Sequence, residues 1–257
     1  LDPASTVASI FGTVDWGGAP TGRIVVAASR WPSRILELHG GEDGMAVSGL
    51  VYGASSPVGD FTAEGWILTT EPGAKGIVGF GRDTLWALSI SDGAGGGVAG
   101  ALTFDTRDAA GNGHALKGKV RVNDGQWHHV AAVYRRETGE KALYVDGLPD
   151  ASVGAAHAPG SALGYFAPGE TRYCLVGRGW DAGDEALDGL LDEVRIWRRA
   201  VAPAEVAQLM AFQPPERHPD VLANWHFDDG TGRDSSAKRH DGVFLGLART
   251  VDARTAW

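Results

Sequence analysis

Residues 124–147 read DGQWHHVAAVYRRETGEKALYVDG, and this stretch decides the fold. Asp124 and Gly125 suit a turn, and Trp127 opens a strand. From there alternate side chains separate, with Val130, Ala132 and Tyr134 on one face and His129, Ala131 and Val133 on the other. The turn ETGE follows, KALYV returns, and Asp146 and Gly147 open the next corner. Two runs of period two around a tight turn make an antiparallel pair, not a helix.

The same grammar continues outward in both directions. RILELHGGEDGMAV at 34–47 gives two short strands around a glycine turn, and FTAEGWIL at 61–68 alternates apolar and polar positions. GIVGFG at 76–81, LWALSIS at 85–91 and ALTFDT at 101–106 have the spacing of a meander. The Asp, Asn and Gly content of DTRDAAGNGHAL at 105–116 marks an exposed loop. Further on, TRYCLVGRG, LLDEVRIWRRA, VLANWHF and VFLGLA again read as strands. One helix is expected, over 203–212, started by Pro203 and ended before Pro214, with Val206, Leu209 and Met210 as its core stripe. Residues 1–31 contain a further candidate hairpin, which would extend a sheet or form an appendage.

Thirty-eight glycines among 257 residues favour many short strands and tight turns over long helices. The net charge of −9 argues against nucleic acid or an anionic membrane as a partner, because either needs a concentrated basic face. No apolar run reaches the ~18 residues that span a bilayer. The single cysteine, Cys174, sits in an apolar strand and reads as a small core residue. The chain starts at Leu1 with no signal-peptide pattern, so it is expected to be cut from a longer precursor with neighbouring domains.

Four segments resemble the laminin-G-like, concanavalin A-like jelly-roll family: FTAEGWI at 61–67, DGQWHHVAAVY with LYVDG at 124–147, LLDEVRIWRRAVAPAEVAQL at 190–209, and WHFDDGTGRDSSAKRHDG at 225–242. The resemblance implies an all-β, two-sheet antiparallel sandwich with one short helix, spanning 1–257 as one domain. The fourth segment departs from the family order, in which it precedes the domain. Here it falls in 216–257, and the expectation is that these strands pack back on the same sandwich instead of starting a following repeat. The family also implies a structural calcium ion joining the last strand to the turn after an early one, which points to Asp192 with backbone oxygens of Gly40 and Glu42.

The resemblance implies recognition rather than catalysis, in an extracellular or cell-surface setting. A glycan site needs aromatic faces and polar groups on loops held by a rigid scaffold. Trp86, Asp92, Asp105, Asp108, Asn112, His114, Trp180, Asp181 and Asp184 are the candidates. A protein-binding spacer without a small ligand is the second reading. A polysaccharide hydrolase or lyase is the third, although the acidic stretch 181–193 lacks the alternating carboxylates of a strand-borne catalytic pair. His128 and His129 point to opposite faces and cannot share a metal ion, and the other six histidines are expected at the surface.

Overall fold

The computed structural model describes residues 34–51, 59–81, 85–164, 172–180, 185–211, 214 and 218–254. The hairpin expected within 1–31 lies outside them, as do Asp181 and Asp184. Fifteen strands are present among the described residues: β1 (Arg34–His39), β2 (Gly44–Val51), β3 (Phe61–Leu68), β4 (Lys75–Gly79), β5 (Trp86–Ile90), β6 (Ala101–Arg107), β7 (Gly113–Arg121), β8 (His128–Arg135), β9 (Glu140–Val145), β10 (Leu148–Val153), β11 (Tyr173–Val176), β12 (Asp188–Trp197), β13 (Val221–Trp225), β14 (Val243–Leu245) and β15 (Arg249–Asp252). One sheet has eight strands, in the order β10-β9-β8-β3-β12-β1-β15 with β13 also joined to β12. The other has seven, in the order β14-β2-β11-β4-β5-β6-β7. All pairs are antiparallel, and the fold is a jelly-roll sandwich.

Alternation builds the interior. Phe61, Ala63 and Ile67 of β3 and Val130, Ala132 and Tyr134 of β8 face Trp86, Leu88 and Ile90 of β5 and Phe104 of β6. The rings of Phe61 and Trp86 stack at 4.7 Å across the gap. Cys174 is fully buried in the same core, where burial drives its thiol pKa upward and keeps it inert.

Strict alternation fails in β12. It would place Leu191 with Glu193, Arg195 and Trp197, but the core receives Leu191, Val194 and Ile196. The pairing with β3 shifts between Asp192 and Arg195, and Glu193 takes a left-handed φ of 50°. This bulge adds one residue and reverses the faces that follow. Arg195 and Trp197 are therefore sent to the outer side of the eight-stranded sheet.

That outer side is covered. Helix α1, shorter than the expected 203–212 at Pro203–Leu209, lays Val206 and Leu209 on Ala131, Val133, Ala142, Tyr144 and Trp197. Glu205 caps the helix start by accepting from the Ala202 N–H at 2.8 Å. The C-terminal strands enter both layers: β13 pairs with β12, β15 with β1 and β14 with β2, and Trp225 and Phe227 are buried in the main core.

Candidate functional site

The outer face of the seven-stranded sheet has the features of a binding platform. In β5, Trp86, Leu88 and Ile90 point inward, so Ala87 and Ser89 point outward. The register then aligns two outward rows across four strands: Gly76, Ser89, Thr103 and Lys117 in one, Gly79, Ala87, Asp105 and Ala115 in the other. At the usual strand spacing each row runs about 14 Å. At the β4 end the rows meet a shallow depression with room for about one water, lined by Gly76, Gly79, Ala87, Ser89, Arg178 and Trp180, among others.

Trp180 is the depression's aromatic wall, and it is fixed in place. Its indole N–H donates to the Tyr173 carbonyl at 3.0 Å, Tyr173 meets it edge-on, and the Arg172 guanidinium lies 5.3 Å from its ring centre. The Arg178–Gly179 backbone leans so closely on Gly76 that a Cβ there would collide with the Arg178 carbonyl carbon. The Gly76 N–H also donates to the Glu185 carbonyl at 2.8 Å. Arg178 itself reaches back to the Glu42 carbonyl at 2.6 Å.

The expected ligand residues are divided by this geometry. Trp180 and Asp105 share the outer face. Trp86 does not join them: it is fully buried between Phe61 and Phe80, because its parity on β5 turns it into the core, so no sugar can stack on it. Asp92 lies beyond the far end of β5 and accepts from the Ala94 N–H, shaping the turn there. Asp108, Asn112 and His114 cluster at the opposite end of the sandwich, in the β6–β7 hairpin. Burial opposes the Asp108 charge, but donors from Asn112 and Ala110 outweigh it and hold the carboxyl below its ordinary value. That carboxylate is occupied in forming its own turn.

The expected calcium set is not assembled. The Gly40 N–H donates to the Leu187 carbonyl, and Asp192 lies five residues further along β12, about 16 Å away at strand rise. The side chain of Glu42 is turned to Arg178. Asp192 nonetheless has a feature that fits a cation. It is 5% exposed, and its buried Oδ1 has no hydrogen-bond partner. Burial, then the neighbouring charges of Glu193 and Asp228, push its carboxyl well above the usual range. Among the described residues no three His, Cys, Asp or Glu side chains converge on one point, so further ligands there would be backbone carbonyls and water.

Two buried polar networks were not legible in the sequence. In the first, on the covered side of the eight-stranded sheet, Glu64 is fully buried and accepts from His129 at 2.8 Å, the Trp197 indole at 2.7 Å and Arg195 at 3.3 Å. Arg195 also grips Glu193. In the second, Lys141 crosses the sandwich from β9 and donates to the carbonyls of Phe104 at 2.5 Å and His114 at 2.8 Å and to Thr106 Oγ1 at 3.0 Å. Burial lowers its pKa to about 7 against the pull of Asp105. His157 joins this cluster through Thr106 Oγ1 at 2.7 Å and is 5% exposed, contrary to the surface position expected for it.

The model of the concanavalin A-like lectin/glucanases superfamily, laminin-G type, matches residues 39–207, more than half of the chain. The chain belongs to this superfamily. Strands β13 to β15 lie beyond the matched region of this superfamily domain, although they complete its two sheets. Human adhesion G protein-coupled receptor D2 is 36% identical over 105 residues, 40% of this chain and 10% of the receptor, so the match spans about a tenth of that relative. Among solved structures, a Bacteroides ovatus protein described as carbohydrate-binding aligns with a TM-score of 0.59 at 20% identity, covering 84% of this chain and 60% of that one. The CBM40 of the Ruminococcus gnavus IT-sialidase, bound to α2,3 sialyllactose, aligns with a TM-score of 0.51 at 14% identity, covering 68% and 95%. At these identities the two structures show a shared fold.

Proposed function

We propose that this superfamily domain is a non-catalytic glycan-recognition module whose ligand lies on the outer face of the seven-stranded sheet against Trp180. The carrying observation is a rigid indole beside a floor of glycine and alanine, continuous with outward hydroxyl, carboxylate and amine groups at Ser89, Thr103, Asp105 and Lys117. An aromatic face takes the apolar side of a sugar ring, and flanking polar groups fix its hydroxyls. The carbohydrate-binding descriptions of the structural neighbours support the same reading, and the match to an adhesion receptor supports a cell-surface or extracellular setting.

The enzyme reading is disfavoured by where the acids lie. Glu64 and Glu193 are brought together, but both are buried on Arg195, and a hydrolase needs its carboxylate pair open to a cleft. A structural calcium, implied by the family resemblance, would be held at Asp192 with Asp228 beside it and not at the turn 39–44.

A glycan array probed with the wild-type chain and Trp180→Ala tests the main reading. Binding by the wild type that falls at least tenfold in the variant, with an unchanged melting temperature, is the expected result. Silence across the array would favour the protein-binding spacer, and cleavage of a bound polysaccharide would restore the enzyme.

A further inference from the structure

At the β6–β7 hairpin end of the sandwich, three groups able to carry positive charge surround one hydroxyl. Lys141 uses its three N–H bonds on the Phe104 and His114 carbonyls and on Thr106 Oγ1. The Thr106 hydrogen is then free to donate, and its nearer acceptor is His157 Nε2 at 2.7 Å, against 3.4 Å to the His114 carbonyl that Lys141 already holds. His157 Nε2 is therefore a bare acceptor, and its Nδ1–H faces Asp108 Oδ2 at 3.6 Å. His114 Nδ1 lies 3.4 Å from Lys141 Nζ, and the two imidazole rings are 6.4 Å apart. The network is complete with one ammonium and two neutral rings. A proton added to His157 Nε2 turns the Thr106 hydroxyl away and sets a second cation beside Lys141.

His157 belongs to a strap. Residues 155–164 cross this end of the sandwich, and their backbone is tied to three neighbours: the Ala156 N–H donates to the Gly139 carbonyl, that of Gly160 to Arg136, and that of Gly164 to Arg107. Leu163 is thereby laid on the main core, and His157 is sealed with it. We propose that this strap is an acid-released clasp: protonation of His157 and His114 detaches residues 155–164 from the β6–β7 hairpin and opens this end of the core. The surrounding charges agree with that direction. Burial, then the Lys141 ammonium, lowers the pKa of both histidines, and the Asp108 carboxylate opposes this at His157. Asp105 on β6 acts on Lys141, Tyr134 on β8 donates its hydroxyl to the Ser161 carbonyl at 3.0 Å, and Arg136 donates to the Gly160 carbonyl at 2.8 Å. The strap itself has no titratable side chain besides His157. What the histidines contribute to closure is thus present above their ordinary 6.5 and lost as pH falls toward the lower folded values.

Hydrogen exchange at the Ala156, Gly160 and Gly164 amides, corrected for the intrinsic pH dependence of exchange, reads the opening directly. One histidine of ordinary pKa that titrates only in the open state favours opening by about 25-fold between pH 7 and pH 5. In the wild type the open fraction therefore rises at least about tenfold over that interval. The double variant His114→Gln/His157→Gln keeps a side-chain acceptor at both positions and cannot take the proton. Its rise is no more than about twofold, the share owed to Lys141 with its pKa lowered to about 7. Equal protection of the wild type at both pH values, or an equal rise in the double variant, overturns the proposal. So does a loss of protection that extends equally to the Val130 and Ala132 amides of β8, because that is global unfolding. Should the variant not fold, the wild-type 15N spectrum decides. A neutral Nδ1–H ring at His157 at pH 7, titrating below its ordinary value, upholds the clasp, and an Nε2–H ring or an imidazolium at pH 7 overturns it.

Discussion

Replacing Asp192 by asparagine, with and without calcium, separates three states of a buried carboxyl that share one geometry. The side chain is 5% exposed, Oδ1 is unpartnered, and Glu193 and Asp228 oppose its charge. In the calcium-free chain its folded pKa is therefore raised, and each unit of elevation costs about 1.4 kcal/mol at a pH where the unfolded chain is ionised. Asparagine keeps the shape, removes the charge and offers amide N–H donors toward the two carboxylates. The expected gain at pH 7 in chelator is about 1–3 kcal/mol, the usual cost of a buried polar group left without a partner. Calcium reverses the order: the wild type gains about 2.7 kcal/mol at a hundredfold excess over its dissociation constant, and the variant gains nothing.

The pH dependence carries an independent sign. The unfolded chain releases this proton near the ordinary aspartate value of 3.8, whereas the folded chain holds it to higher pH. Above that pH the unfolded state binds fewer protons, so calcium-free stability attributable to Asp192 falls as pH rises, until the folded pKa is passed. Urea denaturation at pH 4, 5, 6 and 7 in chelator, read as the difference between wild type and variant, isolates this slope from every other group. A variant less stable than the wild type in chelator refutes the buried-charge argument. A wild type indifferent to calcium removes the cation and leaves a retained proton as the resting state.

Glu64→Gln is expected to destabilise the fold by about 3–5 kcal/mol in urea, because Arg195 and His129 lose their shared buried partner. Burial opposes the Glu64 charge, but His129 and Arg195 prevail and lower its pKa, so its contribution is present above the ordinary 4.5 and lost on acidification through the folded value. A loss under 1 kcal/mol would mean the network is loosely held. Lys141→Met removes the shared donor of the Phe104 and His114 carbonyls and Thr106 Oγ1 and should cost about 1–3 kcal/mol at pH 6. With its folded pKa lowered to about 7, wild-type stability should rise with pH between 7 and the ordinary 10.5, and an identical rise in the variant would sink that assignment.

How far the sequence could be read follows from how local each signal is. Period two in β8 assigned Val130, Ala132 and Tyr134 to the core correctly, because no bulge interrupts that strand. The same rule misplaced Glu193, Arg195 and Trp197, because a single left-handed residue reversed the register and no glycine or asparagine advertised it. Trp86 was mistaken for a sugar platform for a related reason. Its inward parity is evident once LWALSI is read as a strand, but the same alternation sends Ser89 outward, and a small polar residue in an apolar strand attracts no notice. That Ser89 and Trp180, about ninety residues apart in sequence, line one depression depends on how β4, β5 and β11 pair, which composition cannot encode.

The same cross-chain pairing explains why the proposed ligand face is on one layer only. The eight-stranded sheet buries its outer side under α1, and it spends its outward polar residues, Glu64, His129 and Arg195, on each other. Such a network is satisfied internally and has little to offer a ligand. The seven-stranded sheet has no α-helix across its outer rows among the described residues, only a short 3-10 turn at Ala94–Gly96 that takes up the Lys117 amine, and there the outward positions include glycine, alanine, serine and threonine. Small side chains let the Arg178–Gly179 backbone rest on Gly76, and a fixed indole beside them supplies an apolar surface. The proposed recognition thus rests on an asymmetry between two layers of one sandwich, in which one is covered by a helix and the other is not.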